Sequence, residues 1–217
     1  MIDSFHIAVA LIPLATYFLV VGIIRLQNRP ILTTGGREIA ALAFALIGFA
    51  AIGPMELFFP RAAVMWLGPK VWLMLSILYA LCVLLVILNS RPRIVVYGLN
   101  GEELVEIALR VFQRIDPKAQ WLGNQVLSTD LGIQATVETA GPGRVSHVVS
   151  AGRFQDFEGW LLLERELAIE LREVRISTRP AGQLFLMASL ILFGVAGFSL
   201  LKDPQATAQA MRLMLRR

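Results

Sequence analysis

The sequence RPRIVVYGLN at residues 91–100 opens a polar segment that continues as far as VRISTRP at residues 174–180. Residues 91–180 contain 11 basic and 12 acidic side chains and carry a net charge of −1, whereas the rest of the chain contains 9 basic and 4 acidic side chains. Three long apolar runs precede this segment and one follows it. This order predicts three membrane spans, one extramembrane domain and then a fourth span.

The composition of the 217-residue chain is typical of a membrane protein. Hydrophobic residues make up 56% and charged residues 17%, with a mean hydropathy of +0.66, against roughly 45–50% and about 25% in soluble domains. The positive charge lies at the ends of the apolar runs, where it directs membrane topology. The sequence contains no basic stripe interleaved with aromatic residues, so it does not predict nucleic-acid binding. The single cysteine, Cys82, excludes an intramolecular disulfide.

The predicted spans have lengths near the roughly 20 residues that cross a bilayer. Three lie within residues 1–90, at about 5–24, 38–58 and 71–89, and the fourth covers about 181–201. Small residues in the second and fourth spans predict close approach of neighbouring helices. These residues are Ala41, Ala45, Gly48, Gly53, Gly194 and Gly197. The basic tail at 202–217 is either an amphipathic helix on the membrane surface or a frayed terminus.

The first half of the polar segment predicts a strand followed by a helix. Residues 93–97, RIVVY, are β-branched and aromatic, which favours a strand. From Glu102 to Ile115 the apolar residues follow helical spacing. Asn100 and Glu103 have the spacing of a capping pair, and Asp116-Pro117 is expected to end the helix.

The second half predicts a hairpin followed by a helix. Residues 120–128 are weakly strand-like around a Gly123-Asn124 turn, while residues 131–137 alternate between apolar and polar positions. Residues 144–150 return as a second strand after the turn Gly141-Pro142-Gly143. A helix over 155–174 follows, with an apolar stripe. The expected fold is therefore a mainly α membrane protein with a small α+β domain, in which two helices pack on a mostly antiparallel sheet of three to four strands.

The basic residues also indicate which side of the membrane the domain occupies. Seven arginines flank the predicted spans on the side of the domain: Arg25, Arg29, Arg37, Arg91, Arg93, Arg175 and Arg179. Six basic residues flank them on the other side, so the two counts nearly balance. The first span usually dominates orientation, and it has Asp3 before it and two arginines after it. We expect a cytoplasmic domain with both termini on the opposite side.

The predicted spans contain two candidate functional features, which are Glu56 and the pair Ser76 and Tyr79. Glu56 is the ionisable residue embedded most deeply in an apolar run, and such residues often mark proton or ion paths. It also lies just past Pro54 near the end of its span, where pairing with Arg61 is the simpler interpretation. Ser76 and Tyr79 share a face of the third span, which predicts hydrogen bonds between helices or, alternatively, a substrate path.

His147 is the candidate catalytic group of the domain. It lies on a predicted strand with Asp130 and Glu138 nearby in sequence, so a general base is one hypothesis and a structural histidine on a hairpin is the simpler one. The only other histidine is His6, and no Ser or Cys nucleophile motif accompanies either. The scattered carboxylates predict no metal site. No cofactor-binding motif stands out either.

The turn Gly98-Leu99-Asn100-Gly101 precedes a predicted helix and resembles a phosphate-binding loop in outline. Glu102 and Glu103 occupy the first turn of that helix, where they already complement the helix dipole and would repel an anion. No lysine follows as it would in a P-loop. The pattern therefore favours an ordinary capped turn.

These observations lead to one functional expectation and two alternatives. The expected protein is non-catalytic and holds its α+β domain at the bilayer surface, where it binds another membrane protein or a second copy of itself. The first alternative is a small transporter or channel subunit that uses Glu56 and the polar face of the third helix around Tyr79. The second is a membrane-bound hydrolase or transferase centred on His147.

Overall fold

The computed structural model describes most of the chain. The described residues are 4–27, 29–60, 66–139, 145–152, 155–175, 181–202, 204–205 and 207–210. Several residues that carried predictions lie outside these ranges, namely Asp3, Arg61, the turn Gly141-Pro142-Gly143, Arg179 and the end of the basic tail. The described residues divide between two compact units. The helical unit comprises Met1–Ile23, Ile39–Leu88 and Pro180–Arg217, and the sheet domain comprises Ile24–Glu38 and Asn89–Arg179.

Helices dominate the chain, and four of them are long and apolar enough to cross a membrane. The helices are α1 (Ser4–Leu26), α2 (Gly35–Ala50), α3 (Lys70–Asn89), α4 (Gly101–Ile115), α5 (Phe157–Leu171) and α6 (Ala181–Lys202). The four apolar ones are α1, α2, α3 and α6, as the apolar runs predict, which is consistent with a multi-pass membrane protein. A π-helical turn at Ala51–Met55 continues α2 and contains Pro54. Proline lacks the amide hydrogen and crowds the preceding turn, which accounts for this local widening.

Small residues bring the apolar helices of the helical unit together. Gly48 lies against the backbone of α1, where a Cβ atom would collide with the carbonyl oxygen of Val9. The hydroxyl of Ser189 donates a hydrogen bond of 2.8 Å to the carbonyl of Ala15, which joins α6 to α1. The close contacts predicted for Gly53, Gly194 and Gly197 are wrong within the described part of the chain, where nothing lies within 4 Å of a Cβ atom at any of the three. Composition alone does not fix which face of a helix meets its neighbour.

The sheet domain contains six antiparallel strands. They are β1 (Ile31–Thr34), β2 (Arg93–Tyr97), β3 (Gln120–Leu122), β4 (Gln125–Ser128), β5 (Ile133–Thr139) and β6 (Val145–Ser150). Their order across the sheet is β1-β2-β6-β5-β4-β3. The predicted pairing of residues 131–137 with residues 144–150 is confirmed as the β5–β6 ladder.

The prediction of three to four strands is wrong for two reasons. Residues 31–34 lie in what reads as a short loop between two apolar runs, yet they pair with β2 as an edge strand. Four residues are too few to show an alternating pattern, so only the partner strand reveals this element. Residues 120–128 form two strands, β3 and β4, which pair across the turn at Gly123-Asn124.

The core of the sheet domain lies between one face of the sheet and the helices α4 and α5. The apolar stripe of α4 is buried as its spacing predicts, with Leu104, Val111 and Phe112 fully enclosed. Leu163 and Leu167 of α5 are enclosed in the same cluster. Inward-facing residues of β2, β4, β5 and β6 complete it. The packing is that of a two-layer α+β domain, in which one face of the sheet faces the helices.

The ends of α4 are defined by side-chain hydrogen bonds. Asn100 accepts a bond of 2.7 Å from the amide of Glu103, and the Glu103 carboxylate accepts one of 3.0 Å from the amide of Asn100, so the predicted capping box is confirmed. Asp116 ends the helix and is fully buried. Its carboxylate accepts bonds from the hydroxyl of Ser128 at 2.7 Å and from the amide of Lys118 at 2.9 Å. These bonds, led by that of Ser128, hold the pKa of Asp116 below its ordinary value.

Candidate functional site

The face of the sheet opposite α4 and α5 carries a cluster of polar side chains. In β2 and β6 the residues that point away from the helices include Arg93, Tyr97 and His147. The register places His147 directly beside Val95 on β2 and beside Glu138 on β5. We call Arg25, Glu38, Arg93, Tyr97 and His147 the polar cluster. All five belong to the sheet domain.

Glu38 is the centre of the polar cluster. Its carboxylate accepts a hydrogen bond of 2.6 Å from the hydroxyl of Tyr97 and one of 3.0 Å from Nη2 of Arg93. Glu38 lies in the first turn of α2, which is one of the apolar helices. These two bonds therefore connect the beginning of α2 to strand β2. A partly buried bond to a charged group stabilises a fold more than a neutral one does.

Two further contacts hold the same region together. The guanidinium carbon of Arg25, in the last turn of α1, lies 5.9 Å from the centre of the Tyr97 ring, a cation–π distance. The side chain of Arg93 passes so close to Gly35 that a Cβ atom there would collide with it. Gly35 begins α2, so the absence of a side chain lets Arg93 reach Glu38. The end of α1 and the beginning of α2 thus both contact residues of β2.

His147 is half-buried beside this network and is not part of its hydrogen bonds. Its Nδ1 atom is buried and has no hydrogen-bond partner among the residues that the structure describes. Burial lowers the pKa of His147 below its ordinary value, and the charge of Arg93 lowers it further, while Glu38 and Glu138 oppose that shift. The neutral imidazole is therefore the favoured form at neutral pH.

The surroundings of His147 differ from those that the sequence suggested. Glu138 is its neighbour across the β5–β6 ladder, as their nearness in sequence allowed. Asp130 instead donates its backbone amide to Asp116 at 3.3 Å. Among the described residues, no group of three or more His, Cys, Asp or Glu side chains is placed to hold a metal ion. The chemistry that the polar cluster offers is charge pairing between chain segments distant in sequence.

A second polar pair lies in the helical unit. The Nε2 atom of His6, near the beginning of α1, lies 3.0 Å from Oε2 of Glu56. Glu56 directly follows the π-helical turn at Ala51–Met55. Turns of this kind occur frequently at functional sites because they change the direction of side chains within a helix. Both side chains are partly exposed, at 20% and 25%.

Tyr79 and Ser76 have separate partners. The hydroxyl of Tyr79 donates a hydrogen bond of 2.8 Å to the carbonyl of Ala43, which joins α3 to α2. The hydroxyl of Ser76 bonds to the carbonyl of Trp72 within its own helix. The expectation of a hydrogen bond between helices is therefore met by Tyr79, and Ser76 bonds locally. Neither contact involves Glu56.

Sequence reasoning missed most of the polar cluster. Arg25 and Arg93 were read only as topology signals, and Glu38 only as the start of a span. The sequence did contain one signal, which is Glu38 itself. A carboxylate at the beginning of an apolar helix is expected to be paired with a basic or hydrogen-bonding side chain. The partner could not be identified because it lies more than 50 residues away in the chain. His6 as the partner of Glu56 was missed for the same reason.

The β3 edge of the sheet domain exposes apolar side chains. Leu122 on β3 is 76% exposed and Leu127 on β4 is 45% exposed. The register places both on the sheet face opposite α4 and α5, next to Gln120 and Gln125. Strand β3 is also the last strand of the sheet, so its outer backbone groups have no strand beside them among the described elements. We call Gln120, Leu122, Gln125 and Leu127 the β3 surface.

Comparisons of this chain with protein-family models, with curated proteins and with solved structures found no match. The structural features that bear on function are the polar cluster, the β3 surface and the His6–Glu56 pair.

Proposed function

We propose that this protein is a multi-pass membrane protein whose sheet domain binds another membrane protein, or a second copy of the chain, at the membrane surface without catalysing a reaction. The main support is strand β1. It lies between α1 and α2 in the chain and is an integral strand of the sheet. A domain that takes one of its strands from the connection between two membrane helices stays at the membrane surface, which raises its effective concentration toward other membrane components.

The polar cluster supports the same proposal. Glu38 and Arg25 lie at the ends of two apolar helices, and both contact side chains of β2. These contacts lie within the sheet domain and join its segment 24–38, which contains the connection between α1 and α2, to strand β2. The domain is therefore built partly from the connection between two apolar helices, which keeps it close to other membrane components.

The β3 surface is the proposed binding surface. An edge strand with free backbone groups accepts an additional strand from a partner, and adjacent side chains then provide specificity. Leu122 and Leu127 supply apolar contact area there, and the two glutamines supply hydrogen-bonding groups without charge. An exposed apolar edge is otherwise a liability for a protein, which natural sequences suppress with charge or proline.

Site-specific photo-crosslinking in native membranes tests this proposal. A benzophenone amino acid at Leu122 is expected to yield a discrete protein adduct. The same group at Gln113, which is exposed on α4, is the matched control and is expected to yield much less. If neither Leu122 nor Leu127 gives an adduct with any protein, including a second copy of the chain, the proposal is contradicted.

We further propose that the sheet domain is cytoplasmic and that both termini are on the opposite side. The basis is the positive charge that follows the first helix. The variant Gln113→Cys, made in a Cys82→Ala background, shows on which side of the membrane the sheet domain lies. A membrane-impermeant maleimide is expected to label it in inverted vesicles and not in right-side-out cells or spheroplasts. The reverse pattern would place the domain outside.

A second candidate function is a small transporter or channel subunit. The observation that favours it is the contact between His6 and Glu56, two titratable side chains on different apolar helices, next to a π-helical turn. Intramembrane ionisable pairs commonly mark proton or ion paths. Ion or proton flux into proteoliposomes is the assay. A Glu56→Gln protein with the flux of the wild type would remove the reason for this candidate, and Thr16→Val is a control away from the pair.

A further inference from the structure

Arginines are concentrated where the chain passes between the apolar helices and the sheet domain. Arg29 follows the end of α1 by three residues, and Arg91 follows the end of α3 by two. Since each residue extends the chain by at most about 3.6 Å, both backbones lie within roughly 11 Å of a helix end. Arg172 and Arg175 lie between α5 and α6. These four residues share the domain's side of the predicted spans.

Acidic residues neutralise only some of the arginines on this side. Arg37 pairs with Glu164 at 3.0 Å, and Arg93 pairs with Glu38 at 3.0 Å. The two carboxylates are therefore already engaged within the sheet domain. They are not available to neutralise further arginines without breaking an existing pair.

Four other arginines on this side are exposed and have no acidic partner among the described residues. Arg29, Arg91, Arg172 and Arg175 are all exposed, and none has an ion-pair partner within the part of the chain that the structure describes. Topology accounts for basic residues at these positions during insertion. It does not require that their guanidinium groups stay exposed in the folded protein. Arg29 and Arg91 are also within a few residues of the ends of α1 and α3, and exposed cations at the ends of membrane helices have one abundant anionic partner, the phosphate of a lipid headgroup.

We infer that Arg29 and Arg91 bind the headgroups of anionic phospholipids in the leaflet next to the sheet domain, and that Arg172 and Arg175 add positive charge on the same side of the predicted spans. Basic residues beside membrane helices favour anionic lipid, at about 1 kcal/mol for each residue near the surface. Guanidinium groups suit this role because they bind phosphate with two parallel hydrogen bonds. The inference depends on the four helices crossing the bilayer and not on the domain having a protein partner.

Lipid retention by the purified full chain tests the inference. The protein is transferred to mixed micelles containing equal amounts of phosphatidylglycerol and phosphatidylcholine, and the bound lipid is counted by native mass spectrometry. The wild type is expected to retain phosphatidylglycerol in preference to phosphatidylcholine. The ratio of the two bound lipids should fall about fivefold in Arg29→Gln and about fivefold in Arg91→Gln, each measured as a single variant. A fivefold change is equivalent to about 1 kcal/mol for each arginine. Micelles have no sides, so an effect on insertion cannot produce this result.

Two matched variants separate specific binding from general loss of charge. Arg165→Gln removes an exposed arginine of α5 that lies far from any span end in sequence and is expected to leave retention unchanged. The double variant Arg29→Lys with Arg91→Lys keeps the charge and is expected to keep most of the preference. Equal retention of the two lipids by the wild type, or an equal loss in Arg165→Gln, would overturn the inference.

A competition arm distinguishes a lipid headgroup from free phosphate. Inorganic phosphate and sodium chloride are compared as competitors at the same ionic strength. Sodium chloride reports screening alone. Headgroup binding predicts that the preference for phosphatidylglycerol persists in inorganic phosphate, because the lipid is held beside the protein in the micelle at a high effective concentration. Loss of the whole preference in inorganic phosphate, at an ionic strength where sodium chloride preserves it, would assign the arginines to a soluble phosphate compound and would contradict the lipid assignment. Crosslinking from the β3 surface is independent of either result, so failure here leaves the proposed function separately testable.

Discussion

The sheet domain and the helical unit use the same kinds of apolar residue in opposite ways. Phe112 of the sheet domain is fully buried, whereas Leu85 of α3 is 70% exposed within the protein. In α3 the buried residue is Val71, at one end of the helix. The sheet domain therefore gains its stability by removing apolar groups from water through internal packing. The apolar surface that α3 leaves exposed is of the kind suited to lipid, and the helix is long and apolar enough to cross a membrane.

Polar groups show a second contrast between the two regions. In the sheet domain they form networks of several bonds, as at Asp116 and Glu38. In the helical unit single hydroxyls bond to backbone carbonyls, as Tyr79 and Ser189 do. This pattern is typical of apolar helices that pack together, because an isolated hydroxyl between them needs a partner and a backbone carbonyl is always near. Four predictions, ordered from the largest effect to the smallest, test these contrasts.

The largest difference is expected between truncations in the two regions. Phe112→Ala removes a fully buried ring and should destabilise the sheet domain by about 3–5 kcal/mol, through lost burial and an unfilled cavity. Leu85→Ala should change stability by less than about 0.5 kcal/mol, because its side chain contacts little protein. Hydrogen exchange of the β5–β6 amides measures the first, and unfolding in mixed micelles with increasing dodecyl sulfate measures the second. Equal effects would mean that α3 is packed against protein.

A smaller effect is expected from close packing of the helical unit. Gly48→Ala places a methyl group against the carbonyl of Val9 and should push α1 away from α2, at a cost of about 1–3 kcal/mol. Gly194→Ala is the matched control, because its position on α6 is open and alanine is a good helix former. Unfolding in dodecyl sulfate should separate the two variants. A neutral Gly48→Ala would show that α1 and α2 do not approach at this position.

The capping box of α4 should contribute less than core packing. Asn100→Ala removes the acceptor for the amide of Glu103 and should destabilise the sheet domain by about 1 kcal/mol. Gln113→Ala on the exposed side of the same helix is the control and should have almost no effect. Hydrogen exchange of the first-turn amides of α4 provides the readout. Identical exchange in both variants would exclude a contribution from the cap.

The smallest effect is expected from the titration of His147. Burial lowers the pKa of its imidazole in the folded state below the ordinary value near 6.5. The unfolded chain then takes up a proton first, so the stability of the sheet domain should fall as the pH drops below about 6.5 and should level off below the folded pKa. His147→Gln should remove this part of the pH dependence. His6→Gln, in the helical unit, should leave it unchanged when β5–β6 exchange is compared at two pH values.

The elements that the sequence predicted correctly all have local signatures. The four apolar helices follow from run length, and α4 follows from its helical spacing, the Asn100–Glu103 pair and the stop at Asp116. Strand β1 was missed because ILTT, although rich in β-branched residues, is only four residues long and lies in a short connection between two apolar runs. The polar cluster was missed with it, since Glu38 becomes significant only when β1 pairs with β2. The proposed role of the β3 surface likewise depends on strand order, which no local pattern gives.

The sequence by itself determined which four segments are long and apolar enough to cross a membrane and which segment is polar, because length and hydropathy are properties of each segment taken alone. It also determined where α4 begins and ends, since capping uses residues only three positions apart. Only the tertiary structure decided that β1 belongs to the sheet, that Glu38 binds Arg93 and Tyr97, and that Glu56 meets His6. Each of these contacts joins residues more than 49 positions apart, and such pairs are set by how whole elements pack rather than by any neighbouring residue.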